Sequence, residues 1–431
     1  MLYYSTHKKA PEVSLQEAVT RGLAPDGGLY MPVRIGKMSG SFFDNLYDMN
    51  LQDIALEVAR HFLSEDVPDT DLREMVYDTL NFPVPMVHIH DKLNTLELFH
   101  GPTMAFKDVG ARFMARLLGY FTRHSNEEIN VLVATSGDTG SAVANGFYRV
   151  PGIRVYVLYP RGLVSPIQEK QFTTLGENIT AIEVEGTFDD CQRMVKQAFA
   201  DKALNDHMVL TSANSINWAR LLPQSFYYFW GVAQLGRDAG DIICAVPSGN
   251  FGNLCAGLIA KRLGLPVSHF IAATNINDII PQYLQSGQFN PRPSITTIAN
   301  AMDVGNPSNF DRILDLYNRS YEDICRDIEG FVCTDDQIRA TIKQVFTSSG
   351  YLLDPHGAVG YRALNNYLSH SSSTGFFIET AHPAKFTEVV ENIIDQDIVL
   401  PPNLARFADG VKQADELPAD FESLKRFLLS K

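Results

Sequence analysis

The chain has 431 residues, 45% hydrophobic and 20% charged, an ordinary globular composition with enough material for two or three domains. A formal net charge of −14 argues against a general binder of nucleic acid or acidic membranes, but leaves room for a small anion held by local cations and helix N-termini. Five widely spaced cysteines without CxxC, a start without an apolar signal core and no stretch of membrane-span length point to a soluble, cytoplasmic protein with reduced thiols.

Residues 1–91 read as mainly helical. The run 51–63 (LQDIALEVARHFL) has helical apolar spacing, and Ser14 with Glu17 suggests a capping box. Pro25, Gly27 and Gly28 mark a turn. From residue 92 short β-branched runs alternate with amphipathic helices. Strands are expected at 130–135, 154–159, 179–184, 242–246, 269–273 and 376–379. Helices are expected at 108–120, 141–148, 189–199, 218–236, 253–263 and 335–348. This is the pattern of an α/β fold with mostly parallel sheets. It divides the chain into a helical region 1–91, α/β domains 92–240 and 241–385, and an extension 386–431.

Three polar clusters follow predicted strands: TSGDTGS after 131–134, PSGNFGN after 242–246 and TAHPAKF after 376–379. Ligands of open α/β sheets lie beyond the carboxyl ends of strands, so three segments are expected to converge on one cleft. Ser248, Gly249, Asn250, Phe251, Gly252 and Asn253 join a strand to a helix, where exposed N–H groups suit a phosphate dianion. Such a turn is also an ordinary strand–helix connection, and it is neither a Walker loop nor a dinucleotide fingerprint. The turn with Thr135, Ser136, Gly137, Asp138 and Thr139 has the same layout and could equally be a helix cap.

Lys107 stands at the start of a helix, against the helix dipole and beside apolar Met104, Ala105 and Phe106. Those neighbours favour a neutral, nucleophilic amine. The plainer alternative is a solvated surface lysine. Asn214, Ser215, Asn217 and Arg220 form a polar turn opening a helix, suited either to an anion or to an N-cap followed by a solvated arginine. His88 and His90 share a strand face, but no third ligand has matching spacing, so no metal site is read. His356 and His382, each beside a proline, are candidate cleft residues.

The string FHGPTMAFKD resembles the cofactor-lysine signature of threonine synthases. The resemblance continues through TSGDTGSAVA, RGLVSPIQEKQF, TSANSINWARLL, VPSGNFGNLCAG, FIAATNIND, NAMDVGNPSN and TAHPAKF, over nearly the whole chain. It is nearest to the longer, microbial and fungal type. It implies a tryptophan-synthase-β-like fold: two open α/β domains with pyridoxal 5′-phosphate between them. Lys107 then matches the Schiff-base lysine, and residues 248–253 match the cofactor-phosphate loop. Thr380 matches the hydroxyl facing the pyridine nitrogen. Asn214, Ser215, Asn217 and Arg220 match the run that helps hold the substrate phosphate, with Thr135, Ser136, Asp138 and Thr139 on the substrate side. Shorter family members carry an asparagine near the cofactor's 3′-oxygen where this turn offers Asp138, a carboxylate that would repel a phenolate.

The implied reaction converts O-phospho-L-homoserine and water to L-threonine and phosphate, the last step of threonine biosynthesis. Lys107 would move protons, and the cofactor would act as electron sink for γ-elimination and β-addition of water. The implied enzyme is a monomer or homodimer. Two alternatives stay open: a related lyase or dehydratase releasing 2-oxobutyrate, and a silent homologue that only binds a phosphorylated metabolite.

Overall fold

The predicted alternation resolves, in the computed structural model, into two mostly parallel sheets carried by separate compact units; residues 1–123 and 127–431 are described. Neither unit is a continuous stretch of chain. The first comprises Met31–Phe106 and Leu221–Val399 with Met1, and the second Leu2–Tyr30, Lys107–Arg220 and Leu400–Lys431. The divisions read at 91, 240 and 385 run along the chain, whereas each unit is assembled from discontinuous segments.

In the first unit a six-stranded sheet has the order Ile328–Val332, His269–Thr274, Ile242–Pro247, Thr374–Glu379, Leu93–Glu97, Met86–His90. All neighbours are parallel except the final pair, which is antiparallel with an irregularity between His88 and His90. Ile242–Pro247 is buried at every position, as a parallel strand covered on both faces must be. One face carries Ile243, Ala245, Ile271, Ala273 and Phe377 against Ala358, Val359 and Leu364 of the helix Pro355–Leu368 and Ile338, Ile342 and Val345 of Asp335–Ser349. The latter helix starts in a capping box of Thr334 with Gln337 and stops at left-handed Gly350.

The second unit holds a wholly parallel five-stranded sheet: Asp415–Pro418, Ile179–Glu185, Ile153–Pro160, Ile129–Ala134, Val209–Ser212. Its edge strand comes from the far C-terminal segment. The following helix, Phe421–Leu429, buries Leu424 and Leu428 beside Cys191, Met194 and Val195. Lys412 pairs with Glu169 and Glu183 at 2.6 Å each, and Arg161 pairs with Glu183, Glu185 and Glu416. Residues 400–431 therefore complete this sheet and its core.

Most predicted elements form within a residue or two of their expected ends. The helix 51–63 is found as Leu51–Leu63, and 108–120 as Lys107–Thr122. The expected helix 218–236 is instead Trp218–Leu221, a 3-10 turn Leu222–Gln224 and Ser225–Leu235. Pro223 explains the break, because proline has no N–H and its ring crowds the preceding turn. The N-terminal region is only partly helical: Leu2–Ser5 and Val13–Ser14 pair antiparallel, and Ser14 caps Leu15–Arg21 by accepting the Glu17 N–H. The cysteines are unpaired thiols, four of them buried.

Candidate active site

In the first unit the strand Ile242–Pro247 runs into residues 248–253 and then the helix Gly252–Arg262. The turn spends its own side chains on its own shape. Asn253 donates to the Pro247 carbonyl at 2.7 Å and accepts from Ser248 Oγ and the Leu254 N–H at 3.0 Å each. Asn250 accepts the Ser308 N–H at 2.6 Å. Phe251 is buried and left-handed at φ 60°, a costly state for a bulky residue that the surrounding bonds must hold. With side chains committed in this way, what the turn presents to an anion is backbone N–H and the start of a helix dipole. Gly249 is required by packing: a Cβ there would lie 2.6 Å from the Ala301 carbonyl and 2.8 Å from Met302 Cα. The constraint comes from the 3-10 turn Asn300–Met302 lying against it.

The segment before Lys107 is held in the same unit. The Phe106 N–H donates to the Thr380 carbonyl at 2.8 Å, the His382 N–H to Met104 at 3.1 Å, and Ala105 bridges Ala381. Buried Lys385 donates to the Thr103 carbonyl and Tyr227 to that of Phe106, at 2.8 and 2.7 Å. Met104 is a second non-glycine in the left-handed region, at φ 56°. Lys107 itself is half-buried and is the first residue of Lys107–Thr122. Burial pushes His382, whose N–H is bonded to Met104, down to about 4, so its ring is neutral near pH 7.

A buried acid chain supports both features. Glu379, next to Thr380, is fully buried and accepts the Asp354 N–H at 2.8 Å. Burial, with the Asp354 carboxyl against it, pushes Glu379 well above the ordinary carboxylate range. His356 Nε2 accepts the Ala301 N–H at 3.2 Å, so Nδ1 carries the proton and meets Asp354 at 2.6 Å. Glu379, Asp354 and His356 thus tie the Thr380 strand end to the turn that packs on Gly249. Burial likewise raises Asp303 to about 6, within a cage of Thr297, Asn275 and Asn277.

In the second unit the adjacent strands Ile129–Ala134 and Val209–Ser212 deliver two neighbouring turns. Thr135 Oγ1 accepts the Gly137 and Gly140 N–H groups at 3.0 and 2.8 Å. Gly137 has φ 144°, and a Cβ there would meet the Gln168 side chain at 2.7 Å. Asp138 opens the helix Asp138–Phe147 and accepts Gln168 Nε2 at 2.8 Å. Asn214 donates to the Ala134 carbonyl at 3.3 Å, joining the turns. Asn217 is fully buried; its amide serves the Val19 and Ser212 carbonyls and the Ala219 N–H. Arg220 is 3% exposed and donates to the Ala213 carbonyl, so the alternative of a solvated helix arginine is wrong. Ser136, Thr139, Asn214 and Ser215 are the half-exposed polar members.

Sequence reasoning missed Gln168, Ser165, Tyr227, Lys385, Asp354 and Glu379. Gln168 and Ser165 lie inside RGLVSPIQEKQF, so a motif signal was present but carried no role. His88 faces Asn94 at 3.2 Å and His90 faces Tyr361 at 2.9 Å. Among the described residues no group of three or more His, Cys, Asp or Glu could hold a metal ion. Nor is any helix long and apolar enough to cross a membrane.

Comparison with known proteins covers the whole chain. Residues 2–80 match the family "Threonine synthase N terminus", residues 92–375 "Pyridoxal-phosphate dependent enzyme", and residues 357–428 "Threonine synthase, C-terminal". Threonine synthase of Escherichia coli (strain K12) is 42% identical over 431 residues, all of both chains; that of Serratia marcescens is 43% identical over 430 residues, 100% of this chain and 99% of the other. The crystal structure of the E. coli protein superposes with a TM-score of 0.94 at 42% identity, covering 100% of each chain. A PLP-bound threonine synthase from Brucella melitensis gives 0.94 at 34% identity, covering 99% of this chain and 98% of that one.

Proposed function

The chain belongs to the threonine synthase family and has its pyridoxal-phosphate-dependent activity, and from that premise we propose that its substrate is O-phospho-L-homoserine and assign a role to each site residue. The residues present fit the cofactor. Residues 248–253 form a backbone cradle at a helix start, with Ser248 and Asn253 turned into the loop and Asn250 to the Ser308 N–H. Ser248, Gly249, Asn250, Phe251, Gly252 and Asn253 hold the cofactor phosphate, and the Thr380 hydroxyl serves the pyridine nitrogen. A hydroxyl there leaves the ring less electron-withdrawing than a carboxylate would. When bound, the cofactor supplies an electron sink for charge developing at the substrate Cα.

Lys107 would hold the cofactor, and its amine, once released from it, would move protons at the substrate Cα and Cβ as phosphate leaves Cγ and water adds at Cβ. Phosphate departure needs donors aimed at developing charge. Arg220 and the half-exposed Ser136, Thr139, Asn214 and Ser215 supply them. Thr135, Asp138 and Asn217 act by shaping the two turns, because their polar atoms are engaged with backbone or with Gln168. The single observation carrying these assignments is the Phe106–Thr380 backbone bond, which holds the residue before Lys107 against the residue assigned to the pyridine nitrogen. We further propose a cytoplasmic enzyme that works as a monomer or homodimer.

The test is incubation of the holoenzyme with O-phosphohomoserine and separate assays of threonine, 2-oxobutyrate and phosphate. Threonine and phosphate in equal amounts are expected. Release of 2-oxobutyrate in place of threonine would replace this reading with a lyase.

A further inference from the structure

Gln168 is 2% exposed and carries no role in the reaction as assigned above. It sits in the helix Pro166–Thr173, and its amide is held at both ends: Nε2 donates to Asp138 Oδ1 at 2.8 Å, and Oε1 accepts from Ser165 Oγ at 2.8 Å. The contact repeats along the Asp138–Phe147 helix. Ser141 Oγ donates to the Gln168 carbonyl at 3.1 Å and Asn145 Nδ2 to the Gln171 carbonyl at 2.8 Å. Residues 138, 141 and 145 lie on one helix face, so the two helices are zipped together by polar bonds. The same Gln168 side chain fills the space a Cβ at Gly137 would need.

The substrate-side turn is thus clamped from two directions. Thr135 Oγ1 gathers the Gly137 and Gly140 N–H groups from inside. Gln168 excludes a side chain at 137 and holds Asp138 from outside. The chemistry of that outer clamp is particular. Asp138 is 6% exposed and needs a donor, Ser165 needs an acceptor, and a neutral amide offers both on one side chain at every pH. Asp138 is the titratable group in contact with Gln168. On the same helix Glu169 turns to Tyr159 and Lys412, and Lys170 to the Ala408 carbonyl.

We propose that Gln168 is a positioning residue for the reaction: its amide, oriented by Ser165, fixes Asp138 and so sets the shape in which residues 135–139 meet the substrate. The proposal rests on the assignment of that turn to the substrate, and it places the RGLVSPIQEKQF segment in the machinery of turnover.

Two variants test it. Gln168→Glu puts a carboxyl against Asp138. The amide donor to Asp138 is lost, and kcat/KM should fall roughly ten- to a hundredfold at alkaline pH. As pH falls the pair takes up one shared proton, which restores a hydrogen bond, so the deficit relative to wild type should shrink towards acid. Gln168→Met fills the same space with no polar atom and should show a comparable deficit that does not change with pH. Cofactor titration should be unaltered in both, because residues 248–253 take no part in this clamp. If Gln168→Glu does not fold, the same relation is read from Ser165→Ala, which leaves Gln168 in place and should lower kcat/KM by a smaller factor. A Met variant equal to wild type, or a Glu variant whose pH profile parallels wild type, would reduce Gln168 to packing and overturn the proposal. Wild-type conversion of O-phosphohomoserine to threonine is the reference: its absence would overturn the substrate reading as well, while its presence beside unaffected variants would overturn the role of Gln168 alone.

Discussion

The turns at 248–253 and 135–139 both connect a buried parallel strand to a helix, yet they deploy their side chains in opposite ways. In the first, Ser248, Asn250 and Asn253 are engaged by loop and neighbouring backbone, so what the turn offers an anion is backbone N–H groups. In the second, the deep residue Thr135 does the bracing, and Ser136 and Thr139 remain half-exposed beside Asn214 and Ser215. The lesson concerns what each ligand demands. A phosphate held through every catalytic cycle suits a rigid backbone cradle, which side-chain changes disturb only through shape. A phosphate that arrives and leaves suits hydroxyl, amide and guanidinium groups that respond to charge.

Lys107 stands outside this contrast and sets the largest effect. Lys107→Ala should lower turnover to below roughly one part in a thousand and abolish the borohydride-reducible link to the cofactor. Near-normal activity would remove the lysine from its assigned role. The contrast is broken most directly at Gly249. Gly249→Val drives a side chain into Ala301 and Met302. Overpacking of this kind costs about 1–3 kcal/mol, so thermal stability should drop and cofactor affinity should weaken about tenfold or more. Equilibrium titration with pyridoxal phosphate decides it, and unchanged affinity would assign the turn another purpose.

On the other side, Arg220→Ala should lose roughly ten- to a hundredfold in kcat/KM for O-phosphohomoserine, with Arg220→Lys intermediate because lysine keeps the charge without the planar fork. Cofactor affinity should hold, and its loss in place of substrate affinity would mean that the two anion sites are interchanged. Because Arg220 is buried, the Ala variant should also melt at lower temperature.

The smallest effect probes the acid chain behind the cradle. Glu379 faces the carboxyls of Asp354 and Glu97. The unfolded chain releases the Glu379 proton above the ordinary value of 4.5, whereas the folded chain keeps it to much higher pH. Stability therefore falls as pH rises through that window. Glu379→Gln is neutral throughout and should flatten the slope. Its melting temperature should equal or exceed that of wild type at about pH 8, with the gap closing near pH 4. A slope identical to wild type would show that Glu379 is ionised in the folded protein.

Local pattern reached far in this chain. Hydrophobic period marked Ile242–Pro247 and five further strands, because a parallel strand covered on both faces must be apolar throughout, but it missed the buried strands Leu93–Glu97 and Val209–Ser212. Turn chemistry located the strand-end clusters, and ordered motifs brought in the family and the lysine. What escaped was decided by partners distant in sequence. Glu379 is read only as the last residue of an expected strand until the chain brings Asp354 to it, 25 residues away. Gln168 stands in the RGLVSPIQEKQF string with no role of its own until Asp138, 30 residues earlier, is found on its amide. Residues 415–418 read as an extension, yet they form the edge strand beside Ile179–Glu185. The sequence by itself determined the fold class, the family and the polar clusters at the strand ends, since these rest on local periodicity and contiguous motifs. Only the tertiary structure decided which polar groups stay partly exposed and which are spent inside, because hydrogen-bond satisfaction in a buried environment depends on what the rest of the chain places within about 3 Å.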